Sequence, residues 1–269
     1  MSAADTTTAL QDAPRHDTGT LGKAMQVLEV IATAQKPMRF TDVLKKVDQP
    51  RGTLHRQISN LIEEGLVDIS ADNAYTPGIR LLKFASRAWS QNTLRSLAQP
   101  HIEALHKATG ETVHLGQMGD LEVIYLDKIE SNQTVRMHSQ VGKASPLYCT
   151  GIGKAMLARL PLGEAKARTA RIEFHRYTPT TITSATALMR ELNEIKTTSI
   201  SHDREEHESG IYCVAASIAS PDGETIGGLS VTAPRYRISD ETIGEWEHLV
   251  RSAAYAIEND MAQRLGPRS

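Results

Sequence analysis

The chain of 269 residues is poor in the features that identify secreted and membrane proteins. Its two cysteines, Cys149 and Cys213, are too few for a disulfide framework, so we expect free thiols and a cytoplasmic location. No apolar run approaches the roughly 18 residues of a transmembrane helix. The polar residues 1–18 lack the basic and apolar regions of a secretory signal and predict a disordered tail. We therefore expect no membrane partner.

The chain also lacks the common motifs of catalysis. It contains no G-x-S-x-G nucleophile elbow and no G-x-G-x-x-G dinucleotide fingerprint. The run TGIGKA at 150–155 is similar to part of a phosphate-binding loop but does not have the spacing of one. We predict no catalytic residue and no cofactor. An enzyme that converts a sugar acid stays the alternative from a different class.

Charge is nearly balanced over the whole chain but is unevenly distributed. The net charge is −2, yet residues 19–90 hold ten Lys and Arg against seven Asp and Glu, a net of +3. A basic excess in this part of the chain favours contact with phosphates. Because the excess is small, one copy should bind a phosphate backbone weakly. We therefore expect a homodimer or a dimer of dimers.

The segment at 39–67 has the pattern of two helices joined by a tight turn. In the second helix Leu54, Ile58 and Leu61 recur at i, i+4 and i+7, so they share one side. The opposite side carries polar side chains; in a major groove, Arg reads guanine and Asn or Gln reads adenine. The residues predicted to contact double-stranded DNA are Arg51, Gly52, Thr53, Arg56, Gln57 and Asn60.

The residues around the second helix indicate a winged helix-turn-helix. Pro50 cannot continue the preceding helix, and Gly52 can serve as the N-cap of the next one. Gly65 should end that helix. Two short strands, at 66–69 and 74–76, should then form a hairpin, which is the wing. The alternative is an amphipathic helical hairpin in a domain core.

The remaining pattern predicts a second domain of the α+β class. We expect a tail at 1–18, a DNA-binding domain at 19–79, a linker helix at 80–98 and the second domain at 99–265. Pro100 should begin a new helix at 100–109, since proline is favoured in a first turn. The second domain should combine strands at 111–119, 122–130, 133–141, 211–219 and 225–234 with helices at 150–160, 185–198 and 243–265.

Four runs in the second domain carry a resemblance to a known family: ETVHLG, PLYCTGIGKAMLA, HDREEHESGIYCVAASI and GGLSVTAP. With these runs the chain resembles an IclR-family transcriptional regulator from residue 21 to about 265. The resemblance implies a winged helix-turn-helix, a linker helix and a GAF-like or profilin-like antiparallel sheet that binds an effector. It also implies dimers, or dimers of dimers, on palindromic operators. One departure is Gly52, where the family usually has Ser or Thr.

The run at 128–158 and TITSATAL at 181–188 resemble the branch of that family that responds to 2-keto-3-deoxygluconate. This implies a repressor and a small carboxylate effector, namely a 2-keto-3-deoxy sugar acid or a related aldonate or uronate. An aromatic or short-chain keto acid is the alternative effector.

A carboxylate effector needs convergent donors. Gly151, Ile152 and Gly153 precede a helix, so their amides could face an anion. Ser230 and Thr232 are two apart on a strand and share one side. The resemblance implies an effector site lined by Gly151, Ile152, Asp203, Ile211, Cys213, Ser230 and Thr232. We expect Asp203 at the end of the ligand away from its carboxylate, because two carboxylates repel each other.

Each of these residues also has a purely structural explanation. Gly151 and Gly153 could simply permit a tight turn, and Cys213 could be a small buried hydrophobe. Ser230 and Thr232 could lie on a solvated face. The acidic and histidine-rich run at 202–208 could bind a metal, but its H-x4-H spacing is unusual for a helical site, so we predict a solvated loop or helix start and no metal.

Overall fold

The computed structural model describes residues 19–133 and 139–265, and the predicted tail at 1–18 lies outside the described residues. The chain divides into two compact units between Gln91 and Asn92. Within the described residues, every helix is too short or too polar to span a membrane.

The first unit is a winged helix-turn-helix, as predicted. Its elements are α1 (Gly19–Ala32), α2 (Phe40–Leu44), α3 (Arg51–Glu63), β1 (Val67–Ile69), β2 (Tyr75–Pro77) and α4 (Ile79–Ser90). The strands β1 and β2 pair antiparallel and form the wing. The apolar side of α3 packs with α1 and α2 in one core, which includes Val27, Ile31, Val43, Leu54, Ile58 and Leu61.

The predicted end of α3 is confirmed, whereas its predicted N-cap is wrong. Gly65 ends the helix in the left-handed region at φ +66°, and the Leu66 amide donates to the Leu61 carbonyl at 2.9 Å. Gly52 is not the N-cap. Pro50 takes that position in an extended conformation, and its carbonyl accepts from the Leu54 amide at 3.0 Å. Gly52 therefore lies within the first turn.

The predicted single helix at 80–98 is wrong, and so is the helix start at Pro100. The structure has α4, which ends at Ser90, and then α5 (Thr93–Thr109), which contains Pro100. The Asn92 side chain caps α5 by accepting from the Arg95 amide at 2.9 Å. Pro100 is tolerated because an apolar stripe is buried on both sides of it; the stripe comprises Leu94, Leu97, Ala98, Ile102 and Leu105.

The second unit has an antiparallel sheet of six strands, which confirms the α+β class. The strands are β3 (Thr112–Met118), β4 (Glu122–Ile129), β5 (Ala144–Pro146), β6 (Ser201–Arg204), β7 (Ile211–Ala219) and β8 (Thr225–Pro234), in the order β5-β4-β3-β8-β7-β6. The helices are α6 (Gly151–Arg159), α7 (Leu162–Ala170), α8 (Ala185–Thr198) and α9 (Asp240–Leu265). The predicted strand at 133–141 falls mostly on 134–138, outside the described residues.

The two faces of this sheet differ in chemistry. One face is apolar and packs against α5 and α9 in a large core, to which Val113, Leu115, Val214, Leu229 and Val231 belong. The other face carries small and polar side chains, and α6 packs on it through Ile152 and Met156. Because side chains alternate along each strand, residues two apart share this second face. We call it the polar face.

Candidate DNA-binding helix and effector site

The exposed side of α3 holds most of the residues that the sequence predicts to contact DNA. Arg51, Gly52, Arg56 and Asn60 are exposed, and Thr53 is half-buried. A Cβ atom at Gly52 would meet nothing within 4 Å, so the Ser or Thr that is usual in the family would fit there. The position faces open space, so a side chain there could reach a phosphate.

Two side chains on this side of α3 contact the Phe40 ring. The Arg51 guanidinium lies over the Phe40 ring, 5.4 Å from its centroid. His55, which the sequence analysis did not select, is exposed, and its ring lies 6.1 Å from that of Phe40. The available signal for His55 was its position four residues after Arg51, since residues four apart lie on the same side of a helix.

Gln57 was wrongly placed on the exposed side. It is 2 % exposed, and both polar atoms of its amide are buried with no hydrogen-bond partner among the described residues. The cause is the helical period itself. Gln57 follows Leu54 by three residues and precedes Leu61 by four, so it shares their buried side.

In the second unit the register of the sheet brings the predicted effector residues together. Asp203 on β6 pairs with Cys213 on β7, and Cys213 pairs with Thr232 on β8. Ser230 pairs with Ala215 in the adjacent row. These residues share the polar face, and Ile211 lies on the same side of β7 at the next position.

The first turn of α6 lies directly on this surface. A Cβ atom at Gly151 would stand 2.8 Å from the Cys213 sulfur and 3.7 Å from the Asp203 nitrogen. A Cβ atom at Gly153 would stand 2.3 Å from the Leu147 carbonyl oxygen. Both glycines have ordinary negative φ values, so the tight-turn explanation is wrong; they give room for close packing instead.

The amides of this turn are not equivalent. The Thr150 hydroxyl caps α6 by accepting from the Gly153 amide at 3.3 Å, so that amide is already engaged. No partner for the Gly151 or Ile152 amide occurs among the residues that the structure describes. The Ile152 side chain is buried and packs toward Gly228 and Gly116. Gly151 and Ile152 therefore offer backbone donors to an anion.

The predicted hydroxyls are in the interior. Ser230 is 2 % and Thr232 7 % exposed, so the solvated-face alternative is wrong. Cys213 is also buried, and burial raises the pKa of its thiol to about 12. A neutral thiol at this place is a weak hydrogen-bonding group and no nucleophile.

Asp203 is buried in an environment that favours its neutral form. Burial first, and then the Glu206 carboxylate, raise the pKa of Asp203 to about 7. Its Oδ1 accepts from the Glu206 amide at 2.7 Å. Asp203 lies beside Gly151, where we expect the ligand carboxylate, and not at the far end of the site. The Glu206 amide is its hydrogen-bond partner without any ligand.

A buried ion cluster supports Asp203, and the sequence analysis missed it. Lys154 on α6 is fully buried, and its Nζ donates to Glu206 Oε1 at 2.5 Å and Glu191 Oε1 at 3.1 Å. The Thr181 hydroxyl donates to the Glu206 carbonyl at 2.6 Å. The run at 202–208 is thus not a helix start, because it begins in β6 and continues in a bend. Asp203 and Glu206 are buried, whereas Arg204 and Glu208 are exposed, so the run is only partly solvated. A lysine among the apolar residues of α6 was the available signal.

His114 and Tyr125 extend the polar face and were also missed. His114 on β3 pairs with Ser230, and its ring lies 5.0 Å from the Tyr125 ring. Burial raises the pKa of the Tyr125 phenol well above its usual range. The available signal was a histidine between Val113 and Leu115, where the apolar alternation places it on the face opposite to theirs.

No group of three or more His, Cys, Asp and Glu side chains could hold an ion within the described ranges.

Comparisons with known proteins identify the family. The IclR helix-turn-helix domain matches residues 20–68, and the family model described as the C-terminal part of the bacterial transcriptional regulator IclR matches residues 86–259. The regulator KdgR of Escherichia coli K12 is 30% identical over 240 residues, which cover 89% of this chain and 91% of KdgR. BhcR of Paracoccus denitrificans is 30% identical over 245 residues, covering 91% and 88%.

A solved relative agrees with this assignment. The IclR protein of Thermotoga maritima is 31% identical, with a TM-score of 0.67 over 90% of this chain and 98% of its own. The helix-turn-helix match lies within the first unit, and the C-terminal match begins in α4 and covers the antiparallel sheet of the second unit. The chain belongs to the IclR family of DNA-binding transcriptional regulators.

Proposed function

We propose that this regulator is a repressor whose operator affinity is set by a small organic acid bound on the polar face. The observation that carries the proposal is the convergence of two helix-terminal amides, two buried hydroxyls and a buried carboxyl group at one place. These groups belong to Gly151, Ile152, Ser230, Thr232 and Asp203. Such a set suits a ligand that has both a carboxylate and further oxygen atoms.

We propose a 2-keto-3-deoxy sugar acid, or a related aldonate or uronate, as the effector. Its carboxylate would accept from the amides of Gly151 and Ile152, and its keto oxygen would accept from Ser230 or Thr232. Asp203, whose pKa is about 7, can donate a hydrogen bond when protonated, so it need not repel the acid. The similarity to KdgR supports this ligand class.

Calorimetry on the full chain tests the ligand class. We expect 2-keto-3-deoxygluconate to bind and 4-hydroxybenzoate to bind more weakly or not at all. Binding of 4-hydroxybenzoate with no binding of any sugar acid would contradict the proposal. A turnover assay on the same samples separates a regulator from a sugar-acid-converting enzyme, because a regulator leaves the ligand unchanged.

For the DNA-binding unit we propose that 19–79 bind a palindromic operator through α3. Arg56→Ala should weaken operator binding by about 1–3 kcal/mol if Arg56 makes a bidentate contact with a base. Gln57→Met is the matched control, because Gln57 is buried and should not touch DNA. Fluorescence anisotropy with operator DNA measures both. Loss of affinity in the Gln57 variant, with none in the Arg56 variant, would reverse the assignment.

We propose that the functional unit is at least a homodimer, and that α4 contributes to its interface. No residue of α4 is buried, and Ile79, Leu82 and Phe84 are 62%, 65% and 53% exposed. Apolar side chains exposed along one helix indicate a partner. Leu82→Glu should shift the assembly toward monomers of about half the mass in sedimentation, whereas the exposed Lys83→Glu on the same helix should do so less. An unchanged dimer in the Leu82 variant would exclude α4.

A further inference from the structure

His114 is a buried polar residue that the apolar core does not require. It is 4 % exposed and projects from β3 onto the polar face, opposite Ser230. Its Nε2 lies 2.6 Å from the Ser139 hydroxyl, and its Nδ1 lies 3.4 Å from the Thr232 hydroxyl. The contact with Ser139 thus fixes the Nε2 edge of the ring. The Nδ1 edge faces Thr232, which we place in the effector site.

The imidazole is neutral in this position. Burial first, and then the charge of Lys128, lower the pKa of His114 to about 3. A neutral imidazole has one donor and one acceptor nitrogen. The short contact with Ser139 satisfies Nε2, whereas 3.4 Å is near the outer limit of a hydrogen bond. Nδ1 is therefore the nitrogen with capacity for a further partner.

The distance between the amides of α6 and the His114 ring sets the length of a ligand that can contact both. Gly151 stands over Cys213 on β7, and β8 separates β7 from β3. Neighbouring strands lie about 4.8 Å apart, so the amides of α6 and the His114 ring are separated by roughly 10 Å across the sheet. A three-carbon acid that is anchored at α6 is too short to touch both. A six-carbon chain with hydroxyls beyond its keto carbon is long enough.

We propose that His114 is a specificity-determining residue of the effector site, whose Nδ1 edge hydrogen-bonds a hydroxyl on the ligand end remote from the carboxylate. This inference rests on the proposed sugar-acid effector. Tyr125 forms the wall behind the imidazole, since its ring packs against His114 at 5.0 Å. An aliphatic keto acid of equal length gains nothing from this edge, so the site selects for hydroxyl groups and not for length alone.

The test uses two variants that keep opposite edges of the imidazole. His114→Asn places its amide near the position of Nδ1, and His114→Gln places its amide near that of Nε2, where Ser139 lies. Calorimetry on the full chain compares 2-keto-3-deoxygluconate with 2-ketohexanoate, which has the same carbon number and no further hydroxyl. We expect the wild type to prefer the sugar acid about tenfold or more, as for one buried hydrogen bond with an otherwise unpaired group.

His114→Gln should lose most of that preference, and His114→Asn should keep it. A preference that is unchanged in both variants, or an equal loss of affinity for both ligands, would show that His114 only supports the fold and would overturn the inference. If the wild type binds no sugar acid, the proposed effector class fails together with the inference. If it binds the sugar acid and both variants retain the preference, only the role of His114 fails.

Discussion

Replacement of Lys154 by methionine should destabilise the second unit while leaving its shape almost unchanged. Methionine reaches as far as the lysine Cε atom, but it has no ammonium group to pair with a carboxylate. Lys154 is fully buried, and its ammonium group lies between Glu206 and Glu191. The variant would therefore leave Glu206 as a buried charge without its cation.

The expected loss of stability follows from the burial of both Lys154 and Glu206. The Glu206 side chain is 5% exposed, and its Oε2 has no hydrogen-bond partner among the described residues even in the native chain. Removing one member of a buried ion pair costs about 3–5 kcal/mol. Glu191 is 20% exposed and also contacts Arg204, so it should contribute less to the loss. We expect a decrease in the free energy of unfolding of about 3–4 kcal/mol.

Urea denaturation of the full chain, followed by circular dichroism, measures this change in the transition of the second unit. The double variant Lys154→Met with Glu206→Gln is the control, because it removes both charges. It should recover about 2 kcal/mol or more of the loss, since a buried pair replaced as a whole is often nearly neutral. A cost below about 1 kcal/mol for Lys154→Met, or no recovery in the double variant, would refute the reasoning.

Two further predictions concern Asp203 and Gly153. Folding raises the pKa of Asp203 from its ordinary 3.8 to about 7, so ionisation of this group should reduce stability as the pH rises from about 4 to 7. Asp203→Asn should remove this loss, and its advantage over the wild type in thermal unfolding should grow across that window; an equal advantage at pH 4 and pH 8 would be inconsistent with it. Gly153→Ala should cost about 1–3 kcal/mol because the new methyl group meets the Leu147 backbone, whereas Gly163→Ala in α7, with open space around it, should be neutral or stabilising. Equal effects of these two alanine variants in chemical denaturation would contradict the packing argument.

The elements that the sequence predicts well are those whose signals are local. The apolar side of α3 and the glycine at its end depend on residues within a few positions of one another. The strands β7 and β8 were predicted because their apolar runs are long and a turn signal separates them. Pro100 gave a wrong helix start because the preference of proline for a first turn is also a local signal. Burial of the apolar stripe along α5 outweighs that preference.

The parts that could not be predicted depend on distant residues. The strand β6 is short and polar, and it forms because Asp203 and its neighbours pair with β7. Nothing near Lys154 in the sequence reveals that Glu206 neutralises it. The contact between His114 and Ser139 joins residues that lie 25 positions apart. Gln57 is different, since the period of α3 already assigns it to the buried side.

We propose that the regulator binds its operator through α3 and that a sugar acid on the polar face of the same protein changes the affinity of this binding. The most direct test of this claim is fluorescence anisotropy with operator DNA, measured with and without saturating 2-keto-3-deoxygluconate. Because a ligand acts only through its different affinities for the two states, we expect a change in operator affinity of about 5–150-fold. A ligand that binds in calorimetry and leaves operator affinity unchanged would contradict the claim.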